Sequence, residues 1–283
     1  MLYYGMLSAA VVMFGVQFFF NQIFEKESDS SSASAFVFTL GSSLAGIPVL
    51  LIINGLKLEL TLFSVLMAVV SGLDSMLFMV CSIKALGKVN LSRYSVFSML
   101  GGMILPFVAG IAFFHEKAGI GKLLCFAVIF AAVIVTVRDR KNRAGMKYCW
   151  GVFLANGLSG VISTVFQNAQ YSKCNEAQFS VLCAAVTAVF AFTAVLILKK
   201  PQKKLTAKAY ISMGAYGILN RLGNYLLLLA LANLSASVQY PFVTGGVIIV
   251  STLIGLLAGQ KPSKEEIASV LLAFAGVVML MFV

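Results

Sequence analysis

The chain has 283 residues, of which 60% are hydrophobic and only 11% charged, with 21 Lys and Arg against 10 Asp and Glu. A soluble domain carries about 25% charged residues, so this composition excludes an ordinary water-soluble domain and places the chain in lipid. The net charge of +11 falls in short loops between apolar runs, the orienting pattern of membrane proteins, and nucleic-acid binding is not expected.

A bilayer core about 30 Å thick takes about 20 apolar residues per helix, and the chain divides into ten such runs. The first, 2–24, has no basic residue ahead of it and carries Gln17 and Asn21. It reads as a membrane helix and not as a cleaved signal peptide. Glu25–Ala33 is acidic and Ser-rich, a solvated loop, and 34–54 follows with Pro48 inside it. In 60–83 the residues Ser64, Ser71, Asp74, Ser75 and Ser82 recur at helical spacing along one face. Run 91–114 carries Tyr94, Ser95, Ser98 and Pro106 and ends at His115, Glu116 and Lys117, which read as a solvated helix terminus. Leu123–Val137, in the fifth run (119–137), has no charged side chain. That run is expected at the periphery or in a dimer contact.

The second half begins with 149–170, which holds Gln167 and Asn168, and 178–198. Run 209–232 carries Gly214, Gly217, Asn220, Arg221 and Asn224, and 236–259 carries Gln239, Tyr240, Pro241 and Thr244. The last, 265–282, is apolar and peripheral like the fifth. Prolines inside membrane helices free a carbonyl and bend the helix, so Pro48, Pro106 and Pro241 are expected to shape a cavity wall. The five cysteines are odd in number and lack a C-x-x-C spacing, so neither a disulfide framework nor a metal site is predicted. No cofactor is expected.

The two halves repeat each other. Ala85-Leu86-Gly87 through Ser92, then Gly101-Gly102 and Glu116-Lys117, is answered about 144 residues later. There the chain reads Leu231-Ala232-Asn233-Leu234-Ser235, then Gly245-Gly246 and Gln260-Lys261. Phe20-Asn21-Gln22 is likewise answered by Phe166-Gln167-Asn168. A unit with an odd number of crossings enters the membrane inverted when repeated, the architecture of many secondary transporters. The fold expected is therefore an all-α membrane protein of ten transmembrane helices in two inverted five-helix repeats, residues 1–142 and 143–283. Most loop lysines and arginines fall on one side if both termini are outside, which sets the expected orientation.

Asp74 and Arg221 are the only charges expected well inside the spans. A charge at that depth costs about 2.5–3.5 kcal/mol on insertion scales, so it faces a cavity and finds a partner. The two sit in repeat-mate helices, and an ion pair or water-bridged pair between them is expected. Three roles stay open: a proton or cation acceptor beside an anion-binding arginine, a gate that breaks when substrate enters, or a structural pair fixing the packing.

The fourth-run pattern, Ala85 through Ser92 with Pro106 and then Glu116, resembles the drug/metabolite transporter superfamily. Ten spans in two five-span halves look like its EamA-like branch. The second half departs from the pattern, with Gln260 in place of the Glu and its proline early, at Pro241. The resemblance implies a basket-like bundle in the cytoplasmic membrane of a bacterium, with helices three, four, eight and nine lining a cavity and helices one and six completing it. Carried onto this chain, the substrate-binding candidates are Asp74, Tyr94, Ser98, Asn220, Arg221, Asn224, Gln239 and Tyr240, of which Asp74 and Arg221 rest on the physical argument and not on the family pattern. The function expected is a secondary transporter that moves a small polar metabolite, such as an amino acid or nucleoside, by alternating access. Coupling to protons and exchange are both compatible with it, as is a homodimer. The alternative within transport is efflux of drugs or quaternary cations. An intramembrane enzyme is not expected, because one acid and one His supply no catalytic pair or H-E-x-x-H motif.

Overall fold

A computed structural model describes residues 2–56, 59–114, 119–138, 145–198, 204–261 and 263–280. His115, Glu116, Lys117 and Lys57 lie outside the described residues, as does the basic stretch 139–144. The fold is all-α. Among the described residues ten helices follow one another: α1 (Leu2–Glu27), α2 (Ser32–Ile53), α3 (Leu62–Leu86), α4 (Leu91–Phe114) and α5 (Ile120–Arg138), then α6 (Met146–Asn168), α7 (Glu176–Leu198), α8 (Ala207–Leu231), α9 (Ala236–Leu257) and α10 (Lys264–Leu280).

The helix starts follow from hydroxyl caps, which satisfy N–H groups that a first turn leaves orphaned. Ser31 Oγ accepts from the Ser34 N–H at 3.1 Å, Thr61 Oγ1 from the Ser64 N–H at 3.3 Å and Thr206 Oγ1 from the Ala209 N–H at 3.3 Å. At α2 the cap is reinforced by Asp29, whose carboxylate accepts from the Ser31 N–H and the Ser34 hydroxyl. Burial pushes the Asp29 carboxyl up, but the bonds from Ser34 and Ser31 outweigh it and hold the group below its ordinary value. α2 stops at Gly55 and Leu56, whose φ angles are 63° and 60°. α9 stops at Gly259, with φ 79°. Both α2 and α4 run on through Pro48 and Pro106.

Among the described residues, α1 to α4, α6, α7 and α9 are long and apolar enough to cross a bilayer, and the protein is an integral membrane protein. α8 falls short because Asn220, Arg221 and Asn224 interrupt its apolar run. In α10 the apolar stretch is Ile267–Gly276.

In the bundle α1 packs on α8 and α9, α2 on α7 and α8, α3 on α6 and α7, and α4 on α6 and α9. α5 and α10 pair with each other at the edge, touching mainly α4 and α9 respectively. Two glycines set how closely helices cross. A Cβ on Gly101 would overlap the Phe153 carbonyl where α4 meets α6, and one on Gly217 would overlap the Ser42 carbonyl where α8 meets α2. Close approach through small residues is how helices associate in lipid, where no hydrophobic drive separates them from the tails. Outer faces stay apolar, with Leu77, Phe192 and Leu253 more than half exposed, as a lipid-facing surface requires.

Candidate functional site

Eight helices, all but α5 and α10, surround a central cavity of about 170 Å³. One buried water needs about 15 Å³ on this measure, so the space suits a small solute. Polar stripes converge on it. α3 supplies Ser71, Asp74 and Ser75, and α8 supplies Asn220, Arg221 and Asn224. α6 adds Asn156, Ser159 and Ser163, while α7 adds Ser180, Cys183 and Thr187. The wall from α1, α4 and α9 mixes Phe14, Phe18, Met99 and Val243, which belong to one buried cluster, with the polar Gln17, Tyr240 and Thr244.

The cavity is off centre along the bundle. It reaches Phe179 and Ser180 in the first turn of α7 and Tyr240 near the start of α9. In the other direction it stops at Phe18, Met79 and Tyr216. Beyond them lies an aromatic stack, Phe24 on Phe38 at 4.5 Å and Phe38 on Tyr216 at 4.9 Å. Beside the stack, Asn21 Nδ2 donates to Ser82 Oγ at 2.7 Å, and Ser82 shares a 2.6 Å bond with the Tyr94 hydroxyl. A second clamp closes the same end. Gln260 Nε2 donates to Gln22 Oε1 at 2.6 Å, and Gln260 Oε1 accepts from the Leu91 N–H at 3.2 Å.

Asp74 and Arg221 both line the cavity but form no ion pair with each other. Asp74 is 5% exposed and its Oδ1 has no hydrogen-bond partner. Arg221 Nη2 donates to Ser43 Oγ across 3.5 Å, a long bond. The expected direct pair fails for a packing reason: α3 lies on α6 and α7, whereas α8 lies on α1 and α2. Their side chains therefore enter the cavity from different walls.

Of the eight residues expected at the site, Asp74, Asn220, Arg221, Asn224 and Tyr240 line the cavity. Tyr240 donates to the Gly160 carbonyl at 2.9 Å, and Asn224 Nδ2 donates to the Asn220 carbonyl at 2.8 Å. The other three stand behind the wall. Tyr94 is fully buried, its ring edge-on to Phe18 at 5.1 Å. Ser98 is fully buried, and its carbonyl accepts from Asn156 Nδ2 at 2.7 Å. Gln239 Nε2 donates to the Leu227 carbonyl at 2.9 Å. On α4 the face toward the cavity is that of Met99 and Gly102, so Tyr94 ties helices together through Ser82 and the Ser98 hydroxyl packs behind the wall.

Sequence reading missed the walls from α2 and α7, and on α6, which it expected to complete the cavity, it pointed to Gln167 and Asn168 and not to the residues that line it. The signal was present: Asn156, Ser159 and Ser163 fall three and four residues apart, as do Ser180, Cys183 and Thr187, the same spacing that marked α3. It also missed a buried charge outside the cavity: Arg93 is 3% exposed in the first turn of α4. At the end toward which the cavity extends, Lys173 Nζ donates to the Phe166 and Gln167 carbonyls at 2.9 and 2.5 Å, capping α6. Desolvation holds that ammonium below the ordinary lysine value, with Glu176 pulling the other way. Among the described residues no group of three or more His, Cys, Asp or Glu is placed to hold a metal ion.

No family model matches the chain, and no curated protein matches it. Among solved structures 28 chains match. One, described only as "Crystal structure of protein", superposes with a TM-score of 0.67 over 96% of this chain and 98% of its own, at 14% identity. At that identity the likeness is one of fold, and it extends over essentially the whole length of both chains.

Proposed function

We propose that the protein is a secondary transporter for a small polar metabolite, working by alternating access between two inverted five-helix repeats, residues 1–142 and 143–283. The observation that carries this reading is the cavity: it is enclosed by eight helices, lined by many polar side chains including an acid and an arginine, extended toward one end and backed at the other by the Phe24–Phe38–Tyr216 stack. Such a site at a repeat interface is what alternating access requires. The repeat is supported by the packing. Replacing each helix by the one five places along turns α1 on α8 into α6 on α3, α4 on α6 into α9 on α1, and α2 on α8 into α7 on α3, all of which occur. α2 with α7, α4 with α9 and α5 with α10 are pairs of mates.

The runner-up, efflux of quaternary or lipophilic cations, draws support from Asp74 and the cavity's aromatic rings. Arg221 in the same space counts against it, because a cation brought there meets a like charge. The test is uptake of a labelled metabolite panel into proteoliposomes with and without a proton gradient, comparing wild type with Asp74→Asn and Arg221→Gln. Saturable uptake of one chemical class, lost in both variants, is the expected result. Flux of no solute, or non-saturating flux of many, would overturn the transporter reading; saturable export of cationic dyes unaffected by Asp74→Asn would remove the acid from either mechanism.

A further inference from the structure

We infer that the end of α3 and the start of α6 form a binding site for an anionic phospholipid, its headgroup held by Lys84, Lys147 and Tyr148 and its acyl chains lying along the two helices. None of these three side chains lines the central cavity. Lys84 stands in the last turn of α3 and Lys147 in the first turn of α6. The packing of α3 on α6 brings both ammonium groups to one ring: Lys147 Nζ is 4.9 Å and Lys84 Nζ 5.7 Å from the Tyr148 centroid. Both distances are within reach of a cation–π attraction, yet among the described residues neither ammonium meets a carboxylate. Like charges drawn to one ring repel each other, and an anion beside that ring attracts both. A phosphodiester supplies the negative charge, with acceptor oxygens for the two ammonium groups and for the Tyr148 hydroxyl.

Depth in the membrane separates a lipid from a soluble anion. Tyr148 and Trp150, the latter 44% exposed, mark the headgroup level, where aromatic side chains of membrane proteins gather. From the two lysines, rows of exposed apolar side chains run into the bilayer. Leu77 and Leu73 fall 7 and 11 residues before Lys84 on α3, and Leu154 and Leu158 fall 7 and 11 after Lys147 on α6, spacings that keep each row on one helix face. Leu73, Leu77 and Leu154 are more than half exposed, and Leu158 is 41% exposed. The two helices touch where a Cβ on Gly151 would come within 2.5 Å of Cys81 Sγ, so acyl chains lie on the outer surface and not between them. A soluble anion gains the charge alone, whereas a phospholipid gains the charge and the apolar rows. In the expected orientation this end faces the cytoplasm, whose leaflet carries the anionic lipids. A zwitterionic lipid brings a cation of its own into the same field and is disfavoured.

The experiment is native mass spectrometry of the full-length protein from micelles doped with equal phosphatidylglycerol and phosphatidylcholine of identical chains. Wild type is expected to retain phosphatidylglycerol in preference. Lys84→Gln and Lys147→Gln should each lower that preference about fivefold, and together about thirtyfold, the effect of one and of two lysines near an anionic headgroup. Lys204→Gln with Lys208→Gln removes the same charge from the same end of the bundle, where Thr206 donates to Glu27, and should leave the preference unchanged. Equal retention of both lipids by wild type, or an equal loss in the two double variants, overturns the inference and leaves Lys84 and Lys147 as orienting charges alone. A second measurement needs no substitution: dioctanoyl phosphatidylglycerol is expected to raise the unfolding midpoint of wild type, and glycerol 3-phosphate at the same concentration to leave it in place. Equal stabilisation by the anion without tails would assign the site to a soluble phosphate and overturn the lipid. Neither readout involves flux, so either outcome leaves the transport reading where it stands.

Discussion

At position 217 a single methyl group decides whether two helices can touch. A Cβ there would overlap the Ser42 carbonyl, while one on Gly214, three residues earlier on α8, meets nothing within 4 Å. Overpacking costs about 1–3 kcal/mol, whereas an unhindered Gly→Ala change in a helix gains up to about 1 kcal/mol. Gly217→Ala is therefore expected to lower the thermal midpoint in detergent and Gly214→Ala to hold or raise it. Identical responses would show that the α2–α8 crossing is looser than described. The sequence made both glycines visible and distinguished neither, since only the position of α2 tells them apart. Asp74 and Arg221 were legible as cavity residues because a lone charge in an apolar run has few other places to go. Tyr94 and Ser98 were misplaced because their polarity was visible but the direction their helix face takes was not.

At the scale of elements, the sealed end of the bundle rests on side chains that reach from one helix to the terminus of another. Gln260 follows α9, yet it caps the first turn of α4 through Leu91 and holds α1 through Gln22. Losing a cap costs about 1 kcal/mol, which is about a fivefold change in an opening equilibrium. Gln260→Ala should speed amide exchange of the α4 N-terminal peptide by about that factor, read by hydrogen-exchange mass spectrometry, and leave α7 unchanged. Unaltered exchange at Leu91 would show that the clamp does not hold this end. Helix number and limits were readable within a few residues, because apolar run length and Ser or Thr caps are local signals. The clamp was not, since Gln260 lies 238 residues from Gln22 and no periodicity links them.

For the whole molecule, orientation is the property the charge pattern predicts and the fold leaves to experiment. Both termini outside is the expected arrangement, with the α6–α7 loop outside as well. Cys174 in that loop would be the natural reporter, but it is 4% exposed and burial pushes its thiol above the ordinary value. Ser172 is exposed, so a Ser172→Cys protein, with Cys174 replaced by Ser, is the better probe. It should react with an impermeant reagent on intact cells; reaction only after permeabilisation would invert the topology.

Composition and apolar run length by themselves determined that this chain is a helical membrane protein with a charged residue in each of two central helices. They suffice because the bilayer imposes one requirement everywhere: an apolar exterior and internally satisfied backbone. Which polar stripes meet, that Asp74 and Arg221 line a common space without pairing, and that an aromatic stack lies beyond one end of it were decided by the tertiary structure. Those properties depend on the rotation of each helix about its axis and on which neighbour it packs against. Residues far apart in sequence set both, through contacts such as Gly217 on Ser42 and Gly101 on Phe153.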